Sequence, residues 1–374
     1  MAHSPTLFSQ LQIEGIDPQQ DQTPSGDIIE PFDPKKISIV TEPKTIDNLV
    51  QRIRHGEVDL NTDFQRKGNL WTEIQQSRLI ESLMLRFPLP AFYFDAENDD
   101  NWLVVDGLQR LWTFKNFIVD QTLVLQGLDI LKEYNGKNIS YNRLDRKLQR
   151  RISETQVTTY IIQPGTPKPV KYNVFRRINT GGLVLTPMEI RHALNQGIAS
   201  EFLAKVAEKL GRNLIPKAQR MEDRELLLRP IAFDFFSSED YEKPFSSFLD
   251  RAMERLAEQS EEQLDRLEHR LEAALSFAQE LFGEHAFSRS IVGGSNRRYK
   301  INAALFETWV SIGMKLDRKQ RQEILSRKED LLPAFRNLLQ DDKFSSSVSA
   351  ATADRNSVLV RFSRIQELVE KHYS

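Results

Sequence analysis

No cysteine occurs among the 374 residues, which excludes disulfides, thiolate metal sites and a thiol nucleophile. No apolar run is long enough to cross a bilayer as a helix. The opening MAHSPTLFSQ lacks the basic start and apolar core of a secretory signal, so a cytoplasmic location is the simplest expectation. A G-x-x-x-x-G-K-[ST] loop is also missing, and this excludes a P-loop NTPase. The six histidines, His3, His55, His192, His269, His285 and His372, are too scattered for metal-ligand spacing. Neither charge sign dominates. Residues 1–35 carry six acids against one lysine, leaving 50 basic and 47 acidic residues elsewhere, too mild an excess to announce a nucleic-acid binder. What remains is an ordinary globular composition, 40% hydrophobic and 28% charged, long enough for two domains.

The stretch that organises the chain is Asn101–Phe117, NWLVVDGLQRLWTFKNF. Trp102–Val105 has the length and β-branching of a short buried strand, and it stops at Asp106-Gly107 before apolar residues recur at helical spacing. Strand, tight turn and helix start therefore hold Asp106, Gly107, Gln109 and Arg110 where orphan backbone N–H groups favour an anion. The bland alternative is that Asp106 and Gln109 form a capping box.

Upstream, residues 1–35 are rich in Gln, Pro and Asp and read as a disordered acidic tail without a core of its own. Ile37–Val40 suits a strand. Thr45 caps a short helix that Gly56 ends, and Thr72 caps a second one ended by Pro88 and Pro90. Ala91–Phe94 and Trp102–Val105 pair as a hairpin across Glu97–Asn101. Thr122–Leu125 and Val157–Ile162 are further strand candidates, and Lys168–Asn179 is a helix. Thr186-Pro187-Met188-Glu189 has the capping-box form and opens a helix running towards Gly197. From residue 198 the pattern is helical, with apolar faces at Leu264–Phe282 and Ile301–Ile312 and a final helix at Val358–Tyr373. Asp341–Ala353 reads as a polar loop. The glycine-bearing, basic segment Val292–Lys300 is a weak second phosphate candidate and better an interhelical connection.

Val105–Arg110 resembles the Asp-Gly-Gln-Gln-Arg signature of the DUF262 family, the N-terminal module of GmrSD-type restriction proteins, related to the ParB/sulfiredoxin fold. Three other stretches agree in the family's order: Phe64-Gln65-Arg66 with Trp71, Gln76–Pro90, and Phe175–Ala193. The resemblance implies an α+β protein. Its ParB-like module, with a small mixed sheet, occupies 36–197, and an all-helical domain occupies 198–374. It also implies a nucleotide pocket, with a nucleoside triphosphate as the ligand. In that pocket Gln65, Arg66, Gly107, Arg110 and Asn179 contact the nucleotide, Asp106 holds Mg2+, and Asp106, Gln109 and Arg110 are the catalytic candidates. Asn179 reads equally well as a helix C-cap. Arg191 and Trp71 are secondary, the first as a surface partner of Glu189 and the second as core. The family's first signature Gln is Leu108 here. If that position faces the nucleotide, hydrolysis suffers; if it faces the core, nothing is lost.

Many relatives carry a C-terminal DUF1524 His-Asn-His nuclease, which the scattered histidines do not supply, so this chain is expected to cleave no DNA by itself. Arg143, Arg146, Lys147, Arg150 and Arg151 recur at helical intervals and make a basic face, read first as solvated surface and second as a DNA-backbone contact. Three functions stay open. The chain is a nucleotide-dependent sensor in a restriction or anti-phage system acting with a separately encoded nuclease or other effector, a slow metal-dependent NTPase, or a DNA-binding adaptor with a vestigial pocket. No membrane partner is expected, and a homo-oligomer is an open alternative.

Overall fold

The structure, a computed structural model, describes residues 12–16, 33–60, 71–178, 185–211, 214–215, 220–292 and 300–373. The chain divides into two units: Ile28–Leu185, and Thr186–Ser374 together with Met1–Asp27. The first strand, β1 (Gln12–Glu14), belongs to the second unit and pairs in parallel with β7 (Lys300–Asn302). Part of the segment read as a coreless tail is therefore a sheet edge.

The sheet unit is built on five strands, β2 (Ile39–Thr45), β3 (Val58–Asp59), β4 (Phe92–Asp95), β5 (Trp102–Asp106) and β6 (Gln156–Ile162), in the order β2-β6-β4-β5-β3. The sheet is mixed: β4 runs antiparallel to β5 and parallel to β6. Strand alternation splits its side chains between two faces. Phe92, Phe94, Trp102, Val104, Val157 and Ile161 enter one core cluster, joined by Leu49, Ile80, Leu111 and Phe114 from the helices. Burying each phenylalanine contributes about 1.5–3 kcal/mol. Tyr93, Asp95, Tyr160 and Ile162 alternate with these and take the opposite face.

The helices start where local chemistry puts them. Thr45 and Asn48 form a capping box at α1 (Ile46–His55), which ends at Gly56 with φ +72°. Thr72 and Gln75 do the same for α2 (Glu73–Met84). Next come α3 (Leu108–Phe114), extended by a π turn over Lys115–Val119, then α4 (Arg146–Ser153) and α5 (Lys168–Ile178). No strand forms at Thr122–Leu125. Leu123 and Leu125 are buried, but the N–H groups of Thr122 and Leu123 bond to the Asn116 carbonyl and that of Leu125 to Ile139, not to a neighbouring strand.

The second unit is helical. Thr186 and Glu189 cap α6 (Pro187–Leu194), which stops at Asn195, and α7 (Ile198–Leu210) begins afresh after Gly197. The remaining helices are α8 (Glu222–Phe235), α9 (Phe245–Ala257), α10 (Glu261–Phe282), α11 (Ala303–Lys315), α12 (Arg318–Ser326), α13 (Lys328–Gln340), α14 (Asp342–Ser349) and α15 (Arg355–Glu370). Every residue of α11 from Ala303 to Met314 is buried, so this helix is the axis on which α8 and α10 pack. The stretch read as a polar loop after Asp341 is instead α14. Asp341 caps it, and Phe344, Ser347 and Val348 point inward one turn apart.

Candidate functional site

The signature sits at the end of β5, and a β-bulge decides which way it faces. Phe94 pairs with Val104, but Tyr93 pairs with Asp106, so Val105 is an extra residue in its strand. Without the bulge Asp106 would lie opposite Phe92, on the core side. With it, Asp106 shares a row with Tyr93, which in turn lies opposite Tyr160 of β6.

Each other member of the signature has a structural partner. Gly107 has φ +103°, and a Cβ there would stand 2.4 Å from the Phe92 ring, so only glycine fits. Leu108 enters the core cluster, which answers the sequence question of where that position faces. The Gln109 side-chain oxygen accepts from the Trp71 backbone N–H at 3.1 Å. Arg110 is only 8% exposed. One of its amino groups donates to the Pro90 carbonyl; the other donates to Ala91 at 3.1 Å and to Asp106 Oδ2 at 2.7 Å. Its guanidinium lies 4.3 Å from the centre of the Phe92 ring. A planar fork spent on two carbonyls and a carboxylate is not displayed to a phosphate, contrary to the expectation for Arg110. The capping-box alternative for Asp106 and Gln109 does not form either, because α3 has no side-chain cap.

Asp106 is the signature group that stays open. A quarter of its side chain is exposed. Burial raises its pKa above the usual carboxylate range, with Arg110 and the Gly107 N–H pulling the other way. Burial likewise lowers the Arg110 pKa, with Asp106 opposing. As for Mg2+, no group of three or more His, Cys, Asp or Glu is placed to hold a metal among the described residues. One carboxylate fits that ion when phosphate oxygens and water complete its shell.

Gln65, Arg66 and Asn179, and the basic segment before Lys300, lie outside the described residues. Their flanks are described: Trp71, just after the Gln65-Arg66 stretch, is tied to Gln109, and α5 ends at Ile178, the residue before Asn179. Arg146, Lys147 and Arg150 point to solvent from α4, while Leu148 and Ile152 point in. Arg143 lies in the preceding turn and donates to the Asn138 carbonyl. Arg151 leaves this face, donating to the Met84 carbonyl at 2.6 Å. Arg191 is not a surface partner of Glu189. It is fully buried and bonds Asp250 and Ser246, while Glu189 takes Arg220.

Three groups on the face of the sheet turned away from the core cluster escaped sequence reasoning. The Tyr93 and Tyr160 rings stack 4.7 Å apart at 11°. Burial, then Tyr160, then Asp106 raise the Tyr93 pKa. One step along the same face, Lys171 of α5 closes a buried pair with Asp95 at 2.7 Å and also reaches Glu97. Alternation could have flagged Tyr93 and Tyr160 as outward residues of strong strands; nothing local marks Lys171.

A separate pocket lies within the helical unit, lined among others by Thr186, Arg220, Glu222, Arg229, Phe245 and Arg361. Its arginines are engaged: Arg229 with Glu225 and Glu307, Arg361 with Glu307, and Arg220 with Glu189.

Residues 46–196 match the family model described as GmrSD restriction endonuclease, N-terminal domain. The chain carries a GmrSD N-terminal domain. The match spans the bulged hairpin, the signature and α6, and marks this stretch as a restriction-system type of module. No curated protein and no solved structure matches the chain. No helix among the described residues is long and apolar enough to cross a membrane.

Proposed function

We propose that the GmrSD-type domain binds a nucleoside triphosphate and serves as the sensor of a restriction or anti-phage system, acting with a separately encoded effector. The observation that carries this reading is the Gln109–Trp71 bond. Through it the signature helix holds the end of the segment bearing Gln65 and Arg66, so motif blocks far apart in sequence are tied together. In this reading Arg66, not Arg110, supplies the guanidinium for the phosphates, Asn179 adds a polar contact, and Asp106 faces the ligand. Binding is favoured over turnover. The Gln109 oxygen is committed to Trp71 and the Arg110 fork to Pro90, Ala91 and Asp106, so neither is aimed at an attacking water. Calorimetric titration with triphosphates and Mg2+ tests it: Arg66→Ala is expected to weaken binding by about tenfold or more, the loss of one charge-assisted contact, with melting unchanged. Equal affinity in the variant removes the reading.

A DNA-binding role rests on a different observation, the solvent-facing Arg146, Lys147 and Arg150. Its measure is a salt-dependent affinity for duplex DNA whose log–log slope falls by about two when Arg146 and Arg150 are neutralised.

A further inference from the structure

On the face of the sheet turned away from the core cluster, part of which α5 covers at β5, a row of half-buried side chains has no part in the core: Tyr160, Tyr93 and Asp106, set side by side across β6, β4 and β5 by their pairing. The two rings are parallel and in contact, and both are half-buried. Among the described residues, Tyr93 has no second aromatic neighbour and neither hydroxyl has a hydrogen-bond partner. Adjacent strands stand about 4.8 Å apart, so a stack begun on β6 and β4 has its next place above β5. There the side chain is the short Asp106, drawn towards Arg110, and not another ring.

We propose that Tyr93 and Tyr160 form a shelf on which the base of the nucleotide stacks as a third ring, with Asp106 accepting hydrogen bonds from N–H groups on the base edge. The inference rests on the nucleotide reading above and assigns the two ends of the ligand. The carboxylate repels phosphate and accepts from amino and imino donors, so this end of the site takes the base and the phosphates lie away from it. The bulge at Val105 has a use in this scheme, because it alone puts Asp106 on the ring side of the sheet. Stacking suits any aromatic base, whereas the carboxylate favours a base that offers N–H groups at its edge.

The full chain is titrated with GTP, ATP, CTP and UTP, and with inorganic tripolyphosphate, which has no base. Tyr93→Leu removes the ring but keeps an apolar side chain in the strand. The expected result is a loss of about tenfold or more in nucleotide affinity with tripolyphosphate binding unchanged. Tyr93→Phe keeps the ring and is expected to stay within about threefold. Wild-type nucleotide affinity in a folded Tyr93→Leu protein overturns the shelf and leaves the nucleotide site standing, whereas a wild-type protein that binds no nucleotide removes both. Should Tyr93→Leu fail to fold, Tyr160→Leu is read in the same titration, and unaltered affinity there overturns the shelf equally.

Discussion

The helical unit and the sheet unit both bury charged side chains, and they differ in how completely those charges are answered. In the helical unit Glu307 has no exposed surface and lies between Arg229 and Arg361, themselves nearly buried; Glu225 answers Arg229 again. The charges balance within the group. In the sheet unit the Lys171–Asp95 pair is closed in the same way, but the Asp106–Arg110 pair is closed on one side only. Arg110 is sealed by carbonyls and a ring while its partner keeps an edge towards solvent. A closed network holds helices in register, and a half-closed one holds a reactive group in place while leaving it reachable.

The sharpest way to break this comparison is to open the closed network. Glu307→Ala leaves two buried guanidiniums without their shared carboxylate, and the expected cost is about 3–5 kcal/mol, read by denaturant unfolding. A loss below about 1 kcal/mol would show that water reaches Glu307 and that the network is not closed. Arg110→Ala comes next. It strips the hydrogen bonds from the Pro90 and Ala91 carbonyls and leaves Asp106 without its cation, for an expected loss of about 2–4 kcal/mol. Arg66→Ala, by contrast, is expected to change binding and not melting, so the two arginines separate on one plot of stability against affinity.

The smallest effect is in pH. Asp106 has a folded pKa above its unfolded value of 3.8, because burial outweighs Arg110. The folded state therefore holds a proton that the unfolded chain has already released. The contribution of Asp106 to stability grows as pH falls from neutral through the raised pKa and levels off below the unfolded one. Measured against Asp106→Asn, the wild type is expected to gain on the variant between pH 7 and pH 4. A gain in the opposite direction would mean that Arg110 wins over burial.

What was legible in the sequence was local. Thr45, Thr72 and the Thr186–Glu189 box each mark a helix start by local chemistry, and all three appear as helix caps. The hairpin and the α+β division were equally readable, since periodicity separates strands from helices. The partners of Arg110 were not, because the carbonyls it binds belong to Pro90 and Ala91, some twenty residues earlier. Nor was the bulge at Val105, which no residue type announces. α14 was missed because a serine run hid the inward pair Phe344 and Val348. A motif can be recognised from its letters while the work of each letter is set by contacts made elsewhere.

The parallel pairing of β1 with β7 means that the helical unit is assembled from both ends of the chain, with the sheet unit spliced between them. During synthesis Gln12–Glu14 must wait until position 300 has emerged before they find their place. Removing Gln12–Glu14 therefore strips an edge from a unit built mostly of residues after Thr186.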